Sequence, residues 1–204
     1  FDHVRIVVAG EGELAGEMAV LVLVDHAAHG VRIFAGEGAV QHHLGDGDLW
    51  RYTPDGKLIE IYEPEVHGGM SGSMAVTHSV LSPDQTRIFY VSETGPRLMQ
   101  FDLKNHCQLA DLRRGTDGDR TMMHFDLSMT PEGVLMVCMG NRIDALAQDG
   151  VWLRSYPLPG FGWSIIDASS GTHAFTGNWF SGEVVKLDLT SGDIVARTMV
   201  APKC

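Results

Sequence analysis

Two histidines and an aspartate are the most reactive group that the sequence offers: His78, His124 and Asp126, each at the start of a short run that leads into a turn. Imidazole nitrogen and carboxylate oxygen are the donors that zinc, manganese or iron prefer and that calcium does not. An open position on such a bound ion turns water into a hydrolytic nucleophile. His3 and Arg5 hold the matching place in the N-terminal segment, and Ser164 holds it in the C-terminal one. There an arginine would stabilise an anionic substrate group or a developing oxyanion, and a histidine would act as base. The expectation is therefore a divalent cation on His78, His124 and Asp126, with Asp126, His3 and Arg5 catalytic and Trp163, Ser164 and Asn178 on the substrate. The plainer alternative is a set of channel-lining polar residues bonded to one another and to water.

These residues converge only if the elements that carry them repeat, and the sequence does repeat. Residues 49–63, 98–112, 143–157 and 184–200 each read as strand, turn, strand, with apolar and polar residues alternating on both sides of a turn rich in Asp, Asn, Gly or Ser. A short apolar strand precedes each pair, at 20–25, 87–93, 134–140 and 173–179, and another precedes that, at 3–8, 76–82, 124–130 and 162–168. The joints at 82–85, 130–133 and 169–171 carry Ser, Thr, Pro, Asp and Gly, the residues of tight turns. Four strands per unit and a period of about 40–50 residues are the dimensions of a propeller blade. The predicted fold is an all-β propeller domain with four antiparallel blades over approximately 1–70, 71–117, 118–159 and 160–204. In such a ring residues two apart on a strand share a face, so His3, Arg5, His78, His124, Asp126 and Ser164 take one orientation. The Gly- and His-rich segment 26–48, with His26, His29, His42 and His43, is expected as a surface loop overhanging the channel. Asp25, Glu93, Asn141 and Asn178 end their strands on the same side, where capping a turn is their ordinary role.

Three phrases, GDGDLWRYTPDGKL at 45–58, LSPDQTRIFYVSET at 81–94 and FDL at 101–103, resemble the blade-building phrases of the senescence-marker and gluconolactonase family. The resemblance implies a six-bladed ring of which four units are legible, a lactonase or related hydrolase activity, and one divalent cation at the top of the channel. The family's metal-binding asparagine and aspartate positions fall on Thr77 and Phe125, neither of which replaces them, so the family's own ligand set does not carry over. Two functions stay open: hydrolysis of a small lactone or ester, or a non-catalytic platform that binds a small molecule or protein. An arc of four blades would leave sheet faces open at its ends, so self-association or completion of the ring by further blades is expected.

Composition narrows the partners. Twenty-six acidic against 15 basic residues give a net charge of −11, which repels phosphate backbones and anionic membranes, so neither nucleic acid nor a membrane is an expected partner. The longest apolar run, 18–24, falls far short of the roughly 20 residues of a spanning helix, and the N-terminus has no signal-peptide pattern, so a soluble chain, cytoplasmic or already processed, is expected. Cys107, Cys138 and Cys204 are too few and too scattered for a disulfide framework and read as unpaired thiols. No G-x-S-x-G, G-x-x-x-x-G-K or H-E-x-x-H motif is present, which disfavours serine-hydrolase, nucleotide and zincin chemistry.

Overall fold

A computed structural model of the chain describes residues 23–25, 30–35, 38–43, 49–52, 57–65, 77–92, 95–115 and 120–200. Four antiparallel sheets follow one another along it. The first holds β1 (Leu23–Asp25), β2 (Gly30–Ala35), β3 (Gly38–His43), β4 (Leu49–Tyr52) and β5 (Leu58–Tyr62), hydrogen-bonded in chain order. In the second, β6 (Thr77–Leu81), β7 (Arg87–Ser92) and β8 (Arg97–Asp102) are followed by an outer strand in two pieces, β9 (Cys107–Gln108) and β10 (Arg113–Arg114), both paired with β8. Side chains hold the break together: Gln108 Nε2 donates to the Gln100 carbonyl, and Gln100 Nε2 donates to the Ala110 carbonyl. The third sheet is β11 (Asp126–Met129), β12 (Leu135–Cys138), β13 (Arg142–Leu146) and β14 (Trp152–Pro157). The fourth is β15 (Trp163–Asp167), β16 (His173–Asn178), β17 (Glu183–Asp188) and β18 (Ile194–Met199). The only helical turn among the described residues is a 3-10 turn at Arg120–Met122.

The strands arise from period-two alternation bounded by capped turns. Asp102 and Asp188 each accept two backbone amides of their own turn, at 2.8–2.9 Å, which fixes the reversal between the third and fourth strands. β12 is instead apolar throughout and buried on both sides, as a strand sandwiched between two sheets must be.

Burial runs in layers between successive sheets. Leu49 and Tyr62 of the first pack on Ile88, Tyr90, Met99 and Phe101 of the second. Phe89, Val91 and Leu98 of the second meet Leu127, Leu135, Val137 and Leu146 of the third. Met136, Cys138, Ile143, Ala145 and Tyr156 of the third meet Trp163, Ile166, Ala174, Val185 and Leu187 of the fourth. The innermost strands β6, β11 and β15 adjoin one another in turn, and β2 adjoins β6. The architecture is that of a partial β-propeller.

One expectation fails in the first sheet. Segment 26–48 is not a loop throughout: β2 and β3 within it form a hairpin, Val31 opposite His42 and Ile33 opposite Val40. The alternating apolar residues of 30–35 and 38–43 are enough to pair.

Candidate active site on the inner strands

Equivalent positions on the inner strands are found by their pairing partners. His78 lies opposite Val91, and Asp126 lies opposite Cys138, each three residues before the last pair of its strand. Both side chains therefore leave the sheet on the face turned toward the next sheet. His78 reaches β11, where its Nδ1 stands 3.1 Å from Asp126 Oδ1. Asp126 is itself pinned by two backbone amides: Leu127 N donates to Oδ1 at 2.8 Å, and Ile166 N of β15 donates to Oδ2 at 2.9 Å. Two residues on, Ser128 Oγ accepts from Ala168 N at 2.9 Å. Asp126 and Ser128 thus satisfy alternate amides on the unpaired edge of β15, groups whose desolvation would otherwise cost free energy.

The electrostatics follow from this geometry. Burial alone would push the His78 imidazole toward its neutral form, but the charge of Asp126 and the hydrogen bond to it outweigh burial and raise the pKa above the usual histidine value. The ring stays accessible, with 29% of the side chain exposed, and Nε2 bonds to none of the described residues. A histidine whose one nitrogen faces a fixed carboxylate and whose other is free has the arrangement of a general base.

The other expected site residues part company from this pair. His124 precedes β11 and is fully buried. Its Nδ1 lies 3.3 Å from the Gly95 carbonyl, and its Nε2 has no partner among the described residues. Burial holds its pKa down at about 4, against the hydrogen bond to Gly95. The three expected metal ligands are therefore not brought into one coordination shell, and among the described residues no group of three His, Cys, Asp or Glu is placed to hold a metal ion. Both oxygens of Asp126 are engaged by protein donors instead.

Ser164 is displaced by one residue. Ile165, not Ser164, pairs with Gly177, the counterpart of Val91 and Cys138, because a bulge between Trp163 and Ile165 inserts an extra residue. The buried Ser164 Oγ has no partner among the described residues. Trp163 is fully buried in the layer between the third and fourth sheets, its Nε1 donating to the Pro159 carbonyl at 3.0 Å, so it has no surface for a ligand. Asn178 is spent on its turn: Oδ1 accepts from Phe180 N and Ser181 N, and Nδ2 donates to the Phe161 carbonyl. His3 and Arg5 lie outside the described residues, as do His26, His29 and Glu93; His42, His43 and Asp25 are placed on β3 and β1.

What Asn178 secures is an aromatic rim. Phe161, Trp179 and Phe180 are exposed to 52%, 73% and 76%, at the same end of the sheets as His78 and Asp126. The Phe161 ring stands edge-on to Phe125, the neighbour of Asp126, with centroids 5.8 Å apart. Two glycines make room for this rim: a Cβ on Gly140 would lie 2.5 Å from the Phe161 ring, and one on Gly162 would lie 2.4 Å from the Phe180 ring. Both glycines also have positive φ, 84° and 107°, which side-chain-bearing residues avoid.

The sequence reading missed one cluster entirely. Asp144, buried within β13, accepts from Arg113 NH1 of the second sheet at 2.8 Å, from Arg142 Nε at 3.0 Å and from Ser155 Oγ at 2.6 Å. Burial opposes its charge, but the hydrogen bonds from Ser155, Arg113 and Arg142 prevail and lower its pKa. An aspartate inside an otherwise apolar strand, two residues from an arginine on the same face, was the available signal. Cys138 is inert by contrast: it donates to the Trp163 carbonyl at 3.0 Å, and burial pushes its thiol up to about 12. Cys107 and Cys138 are both unpaired.

No protein-family model matches the chain, and no curated protein does. Solved structures do match, 789 chains in all, too many for the likeness to carry an activity. Among them is Kuenenia stuttgartiensis hydrazine synthase, which has a β-propeller domain, at 15% identity and a TM-score of 0.50. That alignment covers 65% of this chain but only 38% of the other. The likeness is one of fold. No helix among the described residues is long and apolar enough to cross a membrane.

Proposed function

We propose that this chain hydrolyses a small ester or lactone at the rim formed by the inner strands, with His78 as general base. The observation that carries the reading is the His78–Asp126 pair: a partly exposed imidazole 3.1 Å from a carboxylate that two backbone amides hold in place. In the neutral ring Nδ1–H donates to Asp126, which leaves the Nε2 lone pair to take a proton from a water molecule as that water attacks the substrate carbonyl. Asp126 stabilises the imidazolium so formed, and Nε2–H then returns the proton to the departing alkoxide, so the ring ends as it began. The upward shift of the His78 pKa, in which the charge of Asp126 and the hydrogen bond to it outweigh burial, makes the ring a stronger base and stabilises the imidazolium that holds the proton between the two steps. Phe161, Trp179 and Phe180 offer apolar faces for the rest of the substrate. The choice of ester or lactone leans on the resemblance of residues 45–58 and 81–94 to lactonase blade phrases.

The test is turnover of a panel of aryl esters and five- and six-membered lactones by the chain and by His78→Gln. Loss of turnover by about 100-fold or more in the variant, within the usual contribution of a general base, is the expected result. A second reading rests on the amide bonds of Asp126 and Ser128, which give the polar residues a structural purpose: the rim binds a small molecule without transforming it. Saturable binding of panel members with no hydrolysis would establish that reading and overturn the first.

A further inference from the structure

We propose that the substrate is an uncharged ester or lactone carrying a phenyl ring or a short alkyl chain, selected by Phe161 and Phe125; the choice of ester and lactone rests on the hydrolysis assigned to His78 and Asp126. The two rings meet edge to face, centroids 5.8 Å apart, over the seam between the third and fourth sheets. Backbone bonds tie that seam to the base. Phe125 N donates to the carbonyl of Cys138, the residue opposite Asp126. Gly162 N and Trp163 N both donate to the Gly140 carbonyl, and farther along β15 Ile166 N donates to Asp126 Oδ2. Phe161 is also held from the fourth sheet, since its carbonyl accepts from Asn178 Nδ2 at 3.1 Å. Gly140 lets both rings lie against its backbone: a Cβ there would stand 2.5 Å from the Phe161 ring and 2.8 Å from the Phe125 ring. With a described sheet on either side, Phe161 is still 52% exposed. It offers a fixed apolar face beside the catalytic pair, and a second ring packs on such a face edge-on or offset.

The polar groups around the two rings are already engaged. Asn178 gives both ends of its amide to its own turn and to Phe161. The Trp163 indole N–H is taken by the Pro159 carbonyl, and the Asp126 oxygens by Leu127 N, Ile166 N and His78. Arg113 and Arg142, on the seam between the second and third sheets, are both paired with Asp144, so neither is set to receive an anionic substrate. A polyhydroxylated lactone of the sugar class would bring hydroxyls against phenyl faces that return no hydrogen bond, and the hydration they lose is uncompensated. A ring or alkyl substituent in the same place gains by leaving water.

Initial rates on γ-phenyl-γ-butyrolactone, γ-butyrolactone and a five-membered aldonolactone measure the selection. kcat/KM should fall in that order, the phenyl compound leading the unsubstituted one by about tenfold or more, as a hydrophobic contact discriminates. Phe161→Ser should cut that lead to about threefold or less, and Phe161→Leu, which keeps an apolar face, should retain most of it. Both variants should keep the wild-type far-ultraviolet circular dichroism spectrum, because half of the Phe161 surface is already in water. An aldonolactone turned over faster than the phenyl compound would overturn the proposal, and so would a phenyl lead that survives Phe161→Ser. Calorimetric titration of His78→Gln distinguishes this failure from a failure of the hydrolysis. If the wild-type chain turns over none of the three lactones, a Kd for the phenyl compound about tenfold below that for γ-butyrolactone, lost on adding Phe161→Ser, still upholds the selection, and equal Kd values overturn it.

Discussion

Replacing Asp126 by Asn keeps the shape of the side chain and removes its charge, so it separates the two jobs that this residue holds. The first job is structural: with one carbonyl oxygen instead of two carboxylate oxygens, the asparagine can accept from Ile166 N or from Leu127 N but turns an N–H toward the other, and one stranded donor costs about 1–3 kcal/mol. The second is electrostatic. A pair at 3.1 Å with one partner 29% exposed falls between a surface ion pair, worth less than about 1 kcal/mol, and a buried charge-assisted bond of about 1.5–3 kcal/mol. Taking about 1.5 kcal/mol for it gives a total loss of about 2.5–4.5 kcal/mol under conditions where His78 is protonated. The two parts differ in pH dependence. Because Asp126 raises the folded pKa of His78 above the unfolded value of 6.5, the stabilisation is fully present below 6.5 and disappears as pH climbs through the folded value. Urea unfolding followed by tryptophan fluorescence at about pH 5.5 and about pH 9 should therefore show a wild-type-minus-variant gap that is larger at the lower pH by about 1.5 kcal/mol. His124 titrates in both proteins and drops out of the difference. A gap of the same size at both pH values would refute the electrostatic half of the reasoning.

His124 should act in the opposite sense. With its folded pKa held down at about 4, it stabilises the chain above pH 6.5 and that contribution is lost between 6.5 and about 4, so His124→Asn, which retains a donor for the Gly95 carbonyl, should flatten the acid limb of a stability–pH curve. Asp144→Asn should cost about 3–5 kcal/mol, since it strands the Arg113 and Arg142 guanidinium groups at the boundary between the second and third sheets, and thermal unfolding measures it. Gly162→Ala should lower the melting temperature and also displace the Phe180 ring, seen as a changed near-ultraviolet circular dichroism spectrum, because the new Cβ meets that ring at 2.4 Å on a backbone of φ 107°.

The strands of the second to fourth sheets were legible because their alternation is regular and their turns carry aspartate, glycine and proline at fixed places. The β2–β3 hairpin was not, because its apolar residues are few and its glycines and histidines have a loop composition. In the site, His78 and Asp126 were found through their common distance from a turn, a quantity that sequence preserves. Ser164 was assigned the same distance, but the bulge at the start of β15 leaves no mark in the residue types and moves the position to Ile165. Two-residue spacing placed His124 beside Asp126, yet His124 lies ahead of the strand, where its amide donates to the Gly95 carbonyl and alternation no longer governs the side chain. Trp163 shows the reverse error: aromatic residues at a strand's start suggest a ligand surface, and here the ring fills the layer between two sheets.

The position shared by His78 and Asp126 explains why one residue pair can be both scaffold and chemistry. On β11 this position and the one after next, Asp126 and Ser128, supply acceptors to edge amides of the neighbouring inner strand. On β6 the same position meets a side chain instead, because Asp126 already stands where His78 points. His78 therefore takes nothing from the backbone among the described residues, and what holds its ring is the charge of Asp126 and the hydrogen bond to it. It follows that His78→Gln should leave stability at about pH 9 within roughly 0.5 kcal/mol of wild type, the range of an ordinary surface change, while Asp126→Asn still loses its amide acceptor there. Activity should fall in both variants. If His78→Gln were as destabilising as Asp126→Asn at alkaline pH, the imidazole would be part of the scaffold, and a loss of hydrolysis on its removal would no longer identify a base.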